Sequence, residues 1–146
     1  MSAPHQPLSL AARLARVIAL RGVIDAHGGG QMLFYEAIGA DVLPPTPETV
    51  ITAAPLATLP LDTPTSGAVD VAGEAPALLA LLSLTPVSGL ASAQGLVGFA
   101  RIADGAGAGI VDLRAGPPGS ELPVILSAMQ LYTGGEVKLL SCRISE

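Results

Sequence analysis

The chain has no tryptophan, one cysteine, two histidines and only four aromatic residues of the Phe and Tyr kind in 146 positions. Each scarcity closes off a class of function. With Phe34, Tyr35, Phe99 and Tyr132 as the whole aromatic supply, a hydrophobic core must come from Ala, Val, Leu and Ile. Few rings are left for stacking on sugars or bases. The lone Cys142 excludes an internal disulfide and any cysteine-based zinc site. Its plain reading is a small buried hydrophobe, since the neighbouring Arg143 is a poor base for a reactive thiol. His5 and His27 are the only histidines, and His5 sits in the expected N-terminal arm, whereas a metal centre wants several His, Cys or carboxylate ligands brought together.

Charge is scarce as well. Asp, Glu, Lys and Arg make up 13% of the chain, about half the usual share of roughly 25%. Seven Lys and Arg stand against twelve Asp and Glu, for a net charge of −5. Binding to nucleic acid needs a basic footprint that neutralises phosphates, and an anionic membrane surface asks for the same sign. Neither partner is expected. The longest apolar run, Ala75 to Leu84, stops at Pro86 and falls short of the ~20 residues that cross a bilayer. MSAPHQPLSL lacks the basic stretch and continuous apolar stretch of a signal peptide, so synthesis in the cytoplasm without secretion by that route is expected.

What is present suits one domain. Residues 1–8 carry Pro4 and Pro7 and read as a flexible arm, and 9–146 read as a single domain. In LAARLARVIALRGVIDA, Leu10, Leu14, Val17, Leu20 or Arg21, and Ile24 recur at helical spacing. Ser9 is a suitable N-cap, and Gly28 stands near the C′ position. The spacing predicts a helix over 10–26, with Arg13, Arg16 and Asp25 as its polar side. Beyond Gln31 the helical period is lost. QMLFYEA over 31–37 reads as a strand. The proline-rich stretch 41–64 allows a strand over 49–61, interrupted at Pro55. AVDVAG over 68–73 is a short strand. Residues 77–87 fit strand or helix by periodicity, and the bounding Pro76 and Pro86 favour strand, with or without a bend.

The C-terminal half is clearer. Strands are predicted over 96–103 and 109–114, with Asp104-Gly105 opening the turn between them. A strand with a bend follows over 122–132, and a last strand occupies 136–146. There Leu140, Cys142 and Ile144 alternate with Ser141, Arg143 and Ser145, the pattern of a half-buried strand. One helix and seven or eight short strands, evenly punctuated by turns, predict a β-sandwich over about 31–146.

Two glycine clusters look like motifs. His27-Gly28-Gly29-Gly30 matches the oxyanion-hole run of some esterases, but no Gly-x-Ser-x-Gly elbow accompanies it; a helix stop explains it better. Gly105-Ala106-Gly107-Ala108-Gly109 has no Gly-Lys-Ser/Thr and no helix after it, so a hairpin turn is expected. Arg101 and Arg114 flank that hairpin. They are placed to pair with Asp112 or Asp104 across it, or to anchor an interface. The carboxylates are scattered singly along the chain. No catalytic, cofactor-binding or metal-binding residue is assigned, no cofactor is expected, and the chain reads as a non-enzyme.

The order of elements carries a resemblance. A Leu-, Ala- and Arg-rich helix ends in glycines (LAARLARVIALRGVIDAHGGG) and is followed by a short strand with aromatics (MLFYEA). Much later come a Gly-x-x-x-Phe-x-Arg strand (GLVGFARIADG), a glycine turn and a Val-Asp-Leu strand. The closing segment GSELPVILSAMQLYTGGEVKLLSCRISE turns at Gly-Gly. This order resembles small virion structural proteins of tailed phages and prophages, in particular capsid cement and decoration proteins. The resemblance covers most of the chain in order, while 41–92 departs from it in being richer in Pro and Leu. It implies a jelly-roll-like antiparallel sandwich and location in the virion. Its implied partners are the major capsid protein or other virion subunits, and copies of itself in a homo-oligomer. The helix, the arm and the loop 41–64 are the expected contact elements. A neck or tail completion protein is the alternative within the virion, and a carbohydrate-type ligand-binding sandwich is the alternative outside it.

Overall fold

A computed structural model describes residues 9–37, 42–61, 70–72 and 79–145. The expected arm over 1–8 lies outside them, as does part of the loop 41–64. The described chain is mainly β, with one helix, as its periodicity predicts.

Helix α1 runs Leu10–Ile24 and begins where expected: the Ser9 hydroxyl accepts the Ala12 N–H at 3.1 Å, satisfying one of the amides that a helix start leaves open. It ends two residues before the expected 26. Asp25 closes it, its N–H donating to the carbonyl of Arg21. His27, Gly28 and Gly29 then take φ of 58°, 92° and 105°, three left-handed residues in a row that no α-helix can continue. Val17 and Ile24 are buried, with Leu14 and Leu20 packed beside the core; the core-facing stripe is the one that the sequence spacing gives.

Eleven strands follow among the described residues: β1 Gln31–Tyr35, β2 Ala57–Pro60, β3 Asp70–Ala72, β4 Leu79–Leu84, β5 Ser88–Leu90, β6 Gly95–Leu96, β7 Phe99–Ala103, β8 Gly109–Gly116, β9 Val124–Leu126, β10 Gln130–Leu131 and β11 Glu136–Ser145. The segment that fitted either helix or strand is thus strand β4, and Pro86 separates it from β5. Two of the expected strands are each split. The 96–103 strand divides at Val97-Gly98, where a side chain on Gly98 would strike the backbone nitrogen of Ala37. The 122–132 strand divides into β9 and β10. The small β6 and β10 pair with each other, apart from the main sheet.

The main sheet runs β2-β1-β7-β8-β9-β11-β4-β3, with β5 also on β11. Its pairs are antiparallel except β8 with β9, where Ala115 lies opposite Val124 and Gly116 opposite Ile125 in parallel. The sheet is therefore mixed, and it curls into a half-barrel. Ala57 at the start of β2 makes an isolated bridge to Ala91 just after β5, and the N–H groups of Ser92 and Ala93 donate to the Leu56 carbonyl at 2.9 and 3.2 Å. The curl encloses Met32, Phe34, Leu59, Leu82, Ile102, Val124, Leu126, Val137 and Leu139, all 2% exposed or less. Each such side chain contributes about 1.5–3 kcal/mol on burial. Helix α1 packs on β4.

The alternation in β11 needs one correction. Val137 and Leu139 are buried, and so is Cys142, whereas Leu140 is 44% exposed. The pairing with β9 slips between Leu139 and Ser141. This irregularity adds a residue to one strand and flips the faces beyond it, so Leu140 falls on the outer side.

Candidate functional site

The β7–β8 hairpin holds a largely buried charged residue beneath the turn 46–49. Arg101 on β7 lies opposite Asp112 on β8 in the antiparallel register, which puts both side chains on one face. The guanidinium Nε donates to Asp112 Oδ1 at 2.7 Å and an Nη to Oδ2 at 3.1 Å, a two-pronged fork of the kind that Arg makes best. The same group donates to the Thr49 carbonyl at 2.6 Å and the Thr46 carbonyl at 3.2 Å. Its side chain is 10% exposed and that of Asp112 is 5%. The hydrogen bond to Asp112 holds the Arg101 pKa above its ordinary value, against the opposing effect of burial.

Of the pairings that the sequence allowed, Arg101 with Asp112 is the one formed. Arg114 lies opposite Phe99 and is exposed. The reading of Arg101 as an interface anchor fails, because its donors are turned inward. They pin the turn Thr46-Pro47-Glu48-Thr49, which is closed by the Thr49 N–H donating to the Thr46 carbonyl at 3.0 Å, onto the hairpin. The loop comes close at one point, where a side chain on Gly109 would strike the Pro47 carbonyl, and a recess of about 450 Å³ lined by Glu48, Thr49, Val50, Arg101 and Ala108 lies between loop and hairpin. Next to this clamp Tyr35 stacks on Phe99, with ring centres 5.4 Å apart. Burial pushes the Tyr35 phenol above its usual pKa, with Arg101 pulling the other way.

The two glycine clusters meet in space. The Gly105 N–H donates to the Ala26 carbonyl at 3.1 Å, and a side chain at Gly105 would overlap the His27 carbonyl oxygen. Asp104 shapes the turn through its side chain, its Oδ1 accepting the N–H groups of Ala106 and Ala108 at 2.9 and 3.0 Å. The left-handed residue of that turn is Gly107, at φ 88°, and not the Asp104-Gly105 pair. His27 Nε2 stands 3.9 Å from Asp104 Oδ2 and is largely exposed. Through the Gly105 N–H bond to the Ala26 carbonyl and the close approach of Gly105 to His27, the hairpin turn and the helix stop form a joint between α1 and the hairpin.

Cys142 is buried, and burial alone pushes its thiol up to about 12. At neutral pH it is a thiol with no path to solvent, which fits the inert reading. Among the described residues, no group of three or more His, Cys, Asp or Glu comes together to hold a metal. No described helix is long and apolar enough to cross a membrane. A recess of about 320 Å³ lined by Tyr35, Glu36, Ala37, Ile51 and Leu56 lies beside the clamp, with Glu36 as the one charged residue of its lining.

The outer surface of α1 is the feature that the sequence reading missed. Its expected polar side does not form as a side: Arg13 and Asp25 are half-buried, and of that set only Arg16 is exposed. The outward positions Ala11, Ala15, Ile18, Ala19, Gly22 and Val23 carry no polar group, and Ile18 and Val23 are 49% and 51% exposed. A projection of the sequence at 100° per residue contains this arc, opposite the Val17 and Ile24 stripe. Further apolar groups point outward at Val50, Leu90, Leu96, Tyr132 and Leu140.

No family model matches the chain, and neither a curated protein nor a solved structure matches it.

Proposed function

We propose that this chain is a structural subunit of a tailed-phage virion, a head cement or decoration protein. In this reading it is made in the host cytoplasm, carried in the virion, and acts by contact with the major capsid protein and with copies of itself, without catalysis. The observation that supports it most is the outer arc of α1. Helix α1 buries Val17 and Ile24 against the curled sheet and, apart from the exposed Arg16, presents an apolar arc with Ile18 and Val23 on its other side, the kind of surface that another protein covers. Low charge and exposed Val50, Leu90 and Leu96 agree with a body that meets other proteins.

The finer architecture belongs to the same proposal. The curl that brings β2 round to the Ala57–Ala91 bridge is read as one side of a jelly-roll-like sandwich. The polar clamp keeps that body rigid, so little ordering cost is added on docking. Many copies on a lattice then multiply modest single contacts.

The test is co-sedimentation of the purified chain with empty capsid shells, beside an Ile18→Gln/Val23→Gln double variant. The expected result is binding by the natural chain and its loss in the variant. A chain that stays monomeric and leaves the shells bare overturns the reading. A copy number that follows the ring symmetry of a neck, and not the capsid lattice, would move the protein to the neck or tail.

A further inference from the structure

We draw no further inference here: the strongest candidate, the outward apolar arc of α1 at Ala11, Ala15, Ile18, Ala19, Gly22 and Val23, already carries the proposed function, and nothing in the structure shows what else covers it.

Discussion

The β7–β8 hairpin and helix α1 are fixed in opposite ways. The hairpin is locked by a buried charge whose donors reach Asp112, Thr46 and Thr49. The helix owes its seat to apolar side chains on β4 and carries more apolar side chains outward. A polar lock defines one arrangement, because each displaced donor leaves an unsatisfied group behind. Apolar packing is tolerant of detail. The molecule thus has an inflexible end and an end with surface to spare, and substitutions in the two should affect different measurements.

The largest effect is expected at the clamp. Arg101→Ala leaves the Asp112 carboxylate buried without its partner and frees two loop carbonyls, for a loss of about 3–5 kcal/mol. The urea midpoint should fall without a rise in slope. An Arg101→Met/Asp112→Leu variant removes both charges together and should recover most of that loss. If Arg101→Ala alone is as stable as the natural chain, the clamp is not what fixes this end.

The joint between the two regions comes next. Gly105→Ala forces a methyl group into the His27 carbonyl, so either the hairpin turn or the helix stop must move. The expected loss is about 1–3 kcal/mol. The same change at Gly28, where nothing lies within 4 Å of the added carbon, meets only the left-handed backbone and costs roughly 1 kcal/mol. Thermal unfolding of the two variants side by side separates steric conflict from backbone strain.

How far these features are legible in the sequence follows from the same contrast. Short-range patterns are on the page: the Ser9 cap, the Val17 and Ile24 stripe, the glycine stop and the strand segments β1, β7 and β8 follow from spacing and turn chemistry, whereas the spacing in β4 fits strand or helix and only the prolines that bound it favour strand. Arg101 opposite Asp112 can be read from the hairpin, because register fixes who faces whom. The carbonyls of Thr46 and Thr49 cannot, since they lie more than 50 positions from Arg101 and backbone acceptors have no sequence signature. The slip at Leu139 and Ser141 is likewise set by β9, a long-range partner. The parallel pairing of β8 with β9, which makes the sheet mixed, depends on how the chain returns after Pro117 and Pro118. The outer arc of α1 was legible, and the presence of arginines in the helix obscured it.

Cys142 gives a smaller effect, visible only in alkali. Its folded pKa is raised to about 12 from an ordinary 9.0. Below pH 9 both states hold the proton and the thiol adds no pH dependence. Between pH 9 and 12 the unfolded chain releases the proton while the folded chain keeps it, so stability falls as pH rises. Cys142→Ala should flatten that fall in a series of denaturant midpoints from pH 8 to 11, at a fixed cost below pH 9 from the lost sulfur. A slope unchanged by the substitution would mean that the thiol reaches solvent in the folded chain.

The smallest expected change in stability belongs to the helix arc, and it is the one that tests the proposed function. Ile18 and Val23 are half exposed, so replacing both with Gln removes little buried area. Surface changes away from caps and cores ordinarily fall within about 0.5 kcal/mol, and Gln is at least as good a helix former as Ile or Val. The unfolding midpoint of Ile18→Gln/Val23→Gln should therefore match that of the natural chain, while the capsid-shell binding that the proposed function requires should be lost. Arg101→Ala, assayed at a temperature where it is still folded, should show the reverse: a lower midpoint with the helix surface, and hence binding, retained. If the arc variant unfolds early, α1 is buried more deeply than its exposure implies. If both variants keep binding, the contact surface lies elsewhere, and Val50 and Leu90 become the next positions to change. The two measurements together decide whether the helix is a spare surface or only a lid on the β4 side of the curled sheet.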